Sequence, residues 1–181
     1  MRAAAATFLS LIAGPLAGQS ESPASSWSVP EYALKAAFLL NFAKYVEWPA
    51  ASFEDPSAPI IIAVLGRDPF GSELEATLKG RVVRGRPLRL RRIGRPNDIS
   101  DLHMLFVPRA EERRMPEILE RSRAVLVVGE SGAFCRAGGA LSILIEEGKP
   151  RIEANPDAAA RSELKIDAKL LKVATIIRDA P

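Results

Sequence analysis

Directly after an apolar run ending at Val128, the chain reads Gly129-Glu130-Ser131-Gly132-Ala133. This is close to the strand-to-helix elbow that presents a nucleophilic serine, G-x-S-x-G, with alanine in the last place. Such a hydrolase needs a histidine to take the serine's proton, and carries it after the serine in the chain. The only histidine, His103, comes before it. Turns that end strands also collect Gly and Ser for backbone reasons alone. A serine hydrolase using Ser131 therefore stands as an alternative that geometry must decide.

The other chemistry-bearing residues are sparse. One His and one Cys cannot make a nitrogen and sulfur metal site, so no metal and no cofactor is expected. Cys135 has Arg136 beside it, which would favour a thiolate, but the lone thiol is read as a small buried side chain. Gly66-Arg67-Asp68-Pro69-Phe70-Gly71-Ser72 has the glycine spacing of a phosphate loop but lacks its lysine, and reads as an ordinary strand-to-helix turn. Between Arg81 and Arg95 the chain places arginine at 81, 84, 86, 89, 91, 92 and 95 with no acid. Arg84, Arg86, Arg89 and Arg91 form a candidate patch for an acidic protein surface or anionic lipid. The competing reading is a strand with one wet face, because Leu88 and Leu90 alternate with Arg89 and Arg91. Nucleic acid is not expected, since no aromatic lies between the arginines for a base to stack on.

The element around which these residues must be arranged is the stretch Glu31 to Pro49, EYALKAAFLLNFAKYVEWP. Ser28-x-x-Glu31 has capping-box spacing, and Pro49 pushes Trp48 out of helical geometry, so a helix ending at Trp48 is expected. At helical spacing Leu34, Phe38, Phe42, Tyr45 and Val46 share one face. The opposite face, with Ala33, Ala36, Ala37, Leu40, Asn41, Lys44 and Glu47, is small and apolar enough to be covered as well. Two readings compete: a helix sandwiched inside its own domain, or one that serves a partner or a second subunit. Charged residues along it exclude a membrane span.

The remainder alternates. Ile60 to Leu65 is an uninterrupted apolar run, as for a strand buried on both faces. Asp68-Pro69 is read as capping a helix through Leu74 and Leu78. Strands are expected at Leu88 to Ile93, His103 to Val107 and Ala124 to Val128, with a helix over Glu112 to Arg121. Leu141 to Ile145 and Arg151 to Ala154 flank a turn and predict an antiparallel hairpin. Asn155-Pro156 starts a short helix, and Asp167 a last one with Leu170, Leu171, Ala174 and Ile177 in a stripe. The fold class is α/β: a single domain with a mostly parallel sheet, helices on both faces and an antiparallel hairpin near the C-terminal part. In such sheets a small ligand would sit at the carboxyl ends of the strands, near Gly66 to Phe70 and Gly129 to Ser131, which leaves a ligand-binding sensor as a second alternative.

The 181 residues are 48% hydrophobic and 26% charged with a net charge of +3, which suits one globular domain and argues for no polyanionic partner. Residues 1–18 read as a secretory signal, with Arg2, an apolar core from Ala3 to Ile12 and a Leu16-Ala17-Gly18 cleavage site. Residues 19–30 read as a flexible leader, leaving 31–181 as the domain. Export to a bacterial periplasm follows.

In this order, KAAFLLNFAKYVEWP (Lys35 to Pro49), IIIAVLGRDPFG (Ile60 to Gly71), HMLFV (His103 to Val107), VLVVGESGAFCRAGG (Val125 to Gly139) and RIEANPDAAARSELKIDAKLLKVA (Arg151 to Ala174) resemble the YfiR-like family of periplasmic proteins. The resemblance implies a non-enzymatic, dimerising regulator that binds the periplasmic sensor region of a membrane-bound diguanylate cyclase and holds it inactive. In characterised relatives an outer-membrane lipoprotein captures the regulator and frees the cyclase. It also implies two disulfides at positions that here are Ala63, Leu102, Cys135 and Ser142, so thiol-based gating is not expected of this chain. Leu40, Phe42, Tyr45 and Trp48, with Asn155 and Leu164 of the tail, are the expected partner-binding residues, a few aromatics usually dominating such contacts.

Overall fold

The computed structural model describes residues 28–179. The proposed signal and most of the leader lie outside the described residues. Helix α1 (Ser28–Tyr45) passes directly into strand β1 (Val46–Glu47), and β2 (Ile60–Leu65) follows the connection 48–59, which carries a 3-10 turn at Ala50–Ser52. Then come α2 (Glu73–Leu78), β3 (Val82–Val83), β4 (Arg86–Ile93), β5 (Met104–Phe106), α3 (Met115–Arg121), β6 (Leu126–Gly129), β7 (Leu141–Glu146) and β8 (Lys149–Ala154). The chain ends with α4 (Pro156–Arg161), β9 (Lys165–Ile166), α5 (Ala168–Leu171) and β10 (Thr175–Ile176).

The main sheet has the order β10-β8-β7-β6-β5-β2-β4-β3. Its centre, β4-β2-β5-β6-β7, is parallel throughout. Because β2 lies between β4 and β5, the chain moves outward from β2 to β4 and then reverses, which makes the β2–β5 boundary a topological switch point. The apolar runs alternate cleanly. Ile60, Ile62, Val64, Met104, Phe106, Leu126 and Val128 face α1, α2 and the α4–α5 region. Ala63, Leu65, Leu105, Val107, Val125 and Val127 face α3 and Phe134. The expected α/β domain with both sheet faces covered is therefore the one observed, as is the antiparallel β7–β8 hairpin, whose turn places Glu147 and Gly148 at positive φ.

Four local expectations need correction. Helix α1 ends at Tyr45, and Trp48 lies beyond it, because Val46 and Glu47 are taken up in an antiparallel pair with Ile166 and Lys165. Its core stripe is Lys35, Ala36, Leu39, Phe42 and Ala43, continued by Val46 of β1, whereas Leu34, Phe38 and Tyr45 are only half-buried. Asp68 does not cap α2, which starts five residues later; its carboxylate accepts from the backbone of Phe70 and from Arg92. Finally, α5 is a single turn capped by Asp167, after which Thr175 and Ile176 leave to pair with Glu153 and Ala154 at the sheet edge.

Candidate functional site

At the carboxyl end of β6, Glu130 fastens three parts of the chain together. One carboxylate oxygen accepts from Lys35 Nζ at 2.6 Å and from the Tyr32 hydroxyl at 3.2 Å. The other accepts the backbone N–H of Arg109, on the loop after β5, at 2.8 Å. Lys35 also bonds Glu31 one turn earlier on α1, and its ammonium lies 4.6 Å from the centre of the Tyr32 ring. The Lys35 and Glu130 side chains are 4% and 7% exposed, so this is a buried ion pair. Burial, then the Glu130 and Glu31 charges, push the Tyr32 phenol upward, which keeps it a proton donor. The Tyr32 ring packs edge-on to Phe70, and Phe70 edge-on to Phe106. Tyr32, Phe70 and Glu130 thus pack together at the carboxyl ends of the strands, beside the place considered for a small ligand. Lys35 and Glu130 were not singled out from sequence, because the partners stand 95 positions apart and a lysine in a helix ordinarily signals a wet face.

Ser131 lies beside this lock, almost fully buried. Its hydroxyl donates to Glu112 at 2.6 Å, and its carbonyl accepts from the Ser142 hydroxyl at 2.9 Å. His103 precedes β5 at the opposite end of the sheet, so the two do not form a nucleophile and base pair. Cys135 is fully buried, and burial together with Glu153 pushes its thiol up to about 12 despite Arg136. Ala63, Leu102 and Ser142 are buried as well.

At the amino end of the sheet, the imidazole of His103 is satisfied on both sides. Nδ1 accepts the N–H of Ile61 at 3.1 Å, which leaves the proton on Nε2 to donate to the carbonyl of Ser52 at 3.0 Å. Its ring stacks on Phe53 at 4.4 Å, and its carbonyl accepts from the Trp48 indole at 2.7 Å. Burial, aided by the Arg86 charge, holds this imidazole below the ordinary histidine value of 6.5, against the opposing pull of the Ser52 carbonyl. The unfolded chain therefore takes up a proton that the native state resists. Stability is full above about pH 6.5 and falls as pH drops from there to the folded-state pKa, by at most about 1.4 kcal/mol per pH unit. As His103 is the sole histidine, urea midpoints measured between pH 7.5 and 5.5 should slope downward with acid in the native chain and be flat in His103→Gln.

The partner-binding candidates separate by burial. Leu40, Tyr45 and Trp48 are half-buried, each packed on the core by one side and open on the other. Phe42 is fully buried. Asn155 is also fully buried, where its side chain caps α4, bonds the Cys135 carbonyl at 3.0 Å and bonds Asp179 at 2.8 Å. Leu164 is buried in the same core as α1. None of these last three offers surface in the isolated chain.

The arginines run along β4 as its wet residues, Arg89 exposed and Arg91 half-buried. Several are engaged locally: Arg91 with the Ser100 carbonyl, Arg84 with Glu47 and the Lys44 carbonyl, Arg92 with Asp68. Arg86 donates to the carbonyls of Asp55 and Ala58 and lies 3.6 Å over the Phe53 ring. Trp48, Arg84 and Arg86, which came from separate sequence features, thereby meet with Phe53 around one recess.

Among the described residues no helix is long and apolar enough to cross a membrane. Residues 32–175 match the family model described as YfiR/HmsC-like. No curated protein matches the chain. Among solved structures, a conserved domain protein from Vibrio cholerae is similar at 12% identity and TM-score 0.51, over 80% of this chain and 59% of that one. An ABC domain in complex with L-Trp from Streptococcus pneumoniae aligns at 15% identity and TM-score 0.46, over 65% of this chain and 55% of that one. The chain thus spans somewhat more than half the length of these solved chains.

Proposed function

The chain belongs to the YfiR/HmsC-like family, and from that premise we propose a periplasmic regulator that binds the periplasmic region of a membrane-bound diguanylate cyclase and holds it inactive. The observation that carries this reading is a family match running through nearly the whole described domain, from the first turns of α1 to β10. The regulator acts by contact and makes no covalent change. Residues 1–18 direct its export, it associates as a homodimer, and release through an outer-membrane lipoprotein frees the cyclase to raise cyclic di-GMP.

The binding surface is centred on the exit of α1, where Leu40, Tyr45 and Trp48 leave apolar area open beside Phe38. Leu40→Asp is the sharpest test, because the side chain is half-buried and carries no hydrogen bond that folding needs. With the purified periplasmic region of a cyclase encoded beside it, affinity is expected to fall by more than about tenfold, the loss of one apolar anchor. Unchanged affinity in a variant that keeps its thermal midpoint would remove α1 from the interface. Failure of the native protein to bind any such region, or to lower cyclic di-GMP on co-expression, would defeat the regulatory reading itself.

A further inference from the structure

The recess formed where Trp48, Phe53, Arg84 and Arg86 meet has a definite chemistry. Its walls are Ala43 and Ile60 from the core side and the rings of Trp48 and Phe53. Ala50, which is exposed, lines it together with the two arginines, and no acidic side chain does. Its volume is about 200 Å³, below the roughly 300–1,000 Å³ of ordinary small-molecule sites, and suits one apolar side chain.

The arginine charges are incompletely matched. Arg86 is half-buried, yet its two hydrogen bonds go to neutral carbonyls, and among the described residues no carboxylate forms an ion pair with it. Arg84 reaches Glu47 only at 3.4 Å, with both side chains 47% exposed, a loose pair that a better placed carboxylate can replace. It stands at φ 51 in the two-residue turn between β3 and β4, the position hairpins usually give to Asn or Gly.

We infer that this recess docks an acidic segment of the partner protein, one apolar side chain entering between Trp48 and Phe53 while flanking carboxylates meet Arg84 and Arg86. The assignment of that segment to a cyclase rests on the regulatory reading above; the chemistry of the recess does not. An apolar floor supplies affinity, and guanidinium groups beside it supply orientation and attraction at a distance.

The probes are three capped pentapeptides, Asp-Asp-Phe-Asp-Asp, Asp-Asp-Ser-Asp-Asp and Lys-Lys-Phe-Lys-Lys, titrated into the isotopically labelled protein. The readout is the Trp48 indole N–H resonance, assigned with a Trp48→Phe sample. The acidic phenylalanine peptide should shift it saturably, with binding about fivefold weaker on raising salt from 0.05 to 0.3 M. The serine and lysine peptides should bind at least about tenfold more weakly, through loss of the anchor and of the charge match respectively. Ala50→Phe, at an exposed position, should abolish the shift by filling the recess. Arg84→Asn, which suits the left-handed backbone, should weaken it without unfolding the chain. Equal response to all three peptides, or none to the acidic phenylalanine peptide, would overturn the proposal. With a cyclase periplasmic region as ligand, equal capture by native and Ala50→Phe protein would overturn the recess and leave the regulatory reading standing. No capture by the native protein, with the peptide response intact, would leave the recess standing and defeat the regulatory reading.

Discussion

Lys35→Met is expected to destabilise the domain by about 3–5 kcal/mol, because it leaves the Glu130 carboxylate buried without its cation. Urea midpoints measure this directly, and for a domain of this size the thermal midpoint should fall by roughly 6–20 °C. The size of the effect follows from position. Glu130 keeps the Tyr32 hydroxyl and the Arg109 N–H, but neither neutralises a full charge that is 7% exposed. A paired change, Lys35→Met with Glu130→Gln, removes both charges and leaves an amide whose single oxygen can accept the Arg109 N–H while its NH2 donates to the Tyr32 hydroxyl oxygen; most of the loss should return. If the double variant is as unstable as the single one, the cost lies in packing and the ion pair is not the lock. The consequence for function is indirect but large. Leu40 and Tyr45 ride on the same helix as Lys35, so loosening its attachment to β6 would cost the partner a preorganised surface.

How much of this was legible in the sequence depends on whether the cause was local. The parallel core was readable because Ile60 to Leu65 and Val125 to Val128 are apolar at every position, and only strands covered on both faces need that. Asn155 and Asp167 were readable as caps for the same kind of reason: each accepts from a backbone N–H two or three residues on. The phase of α1 was not. A helix apolar nearly all round has no polar stripe to fix its rotation, and the buried face is set by Lys35 reaching Glu130, a tertiary fact. β1, β9 and β10 are two-residue strands that exist only because a partner segment lies alongside, and no propensity announces them. The recess was hidden for a similar reason. Trp48 was visible as an anchor and Arg84 and Arg86 as a charged run, but only the fold of β3 and β4 back past α1 puts them together.

Gly129→Ala should be almost as damaging as loss of the ion pair, and it explains why the chain resembles a hydrolase elbow. A Cβ at Gly129 would stand 2.2 Å from the Phe134 ring, and one at Gly139 would stand 2.1 Å from the other side of it. The ring is 1% exposed and held between two stretches of backbone, so it has nowhere to retreat. A loss of about 3 kcal/mol or more is expected, at the upper end for overpacking. Phe134→Leu alone should also destabilise, by opening a void. Combined with Gly129→Ala, however, it should cost less than the sum, because the smaller side chain makes room for the new methyl. Strict additivity would mean that the glycine serves backbone conformation and not the ring. On the packing account the first three members of the motif each have an employment other than catalysis. Gly129 admits Phe134, Glu130 holds Lys35, and Ser131 donates to Glu112 while its carbonyl receives Ser142. The spacing that looks like chemistry is what a strand end needs when a buried charge, a buried hydroxyl and an aromatic ring must all be seated within six residues.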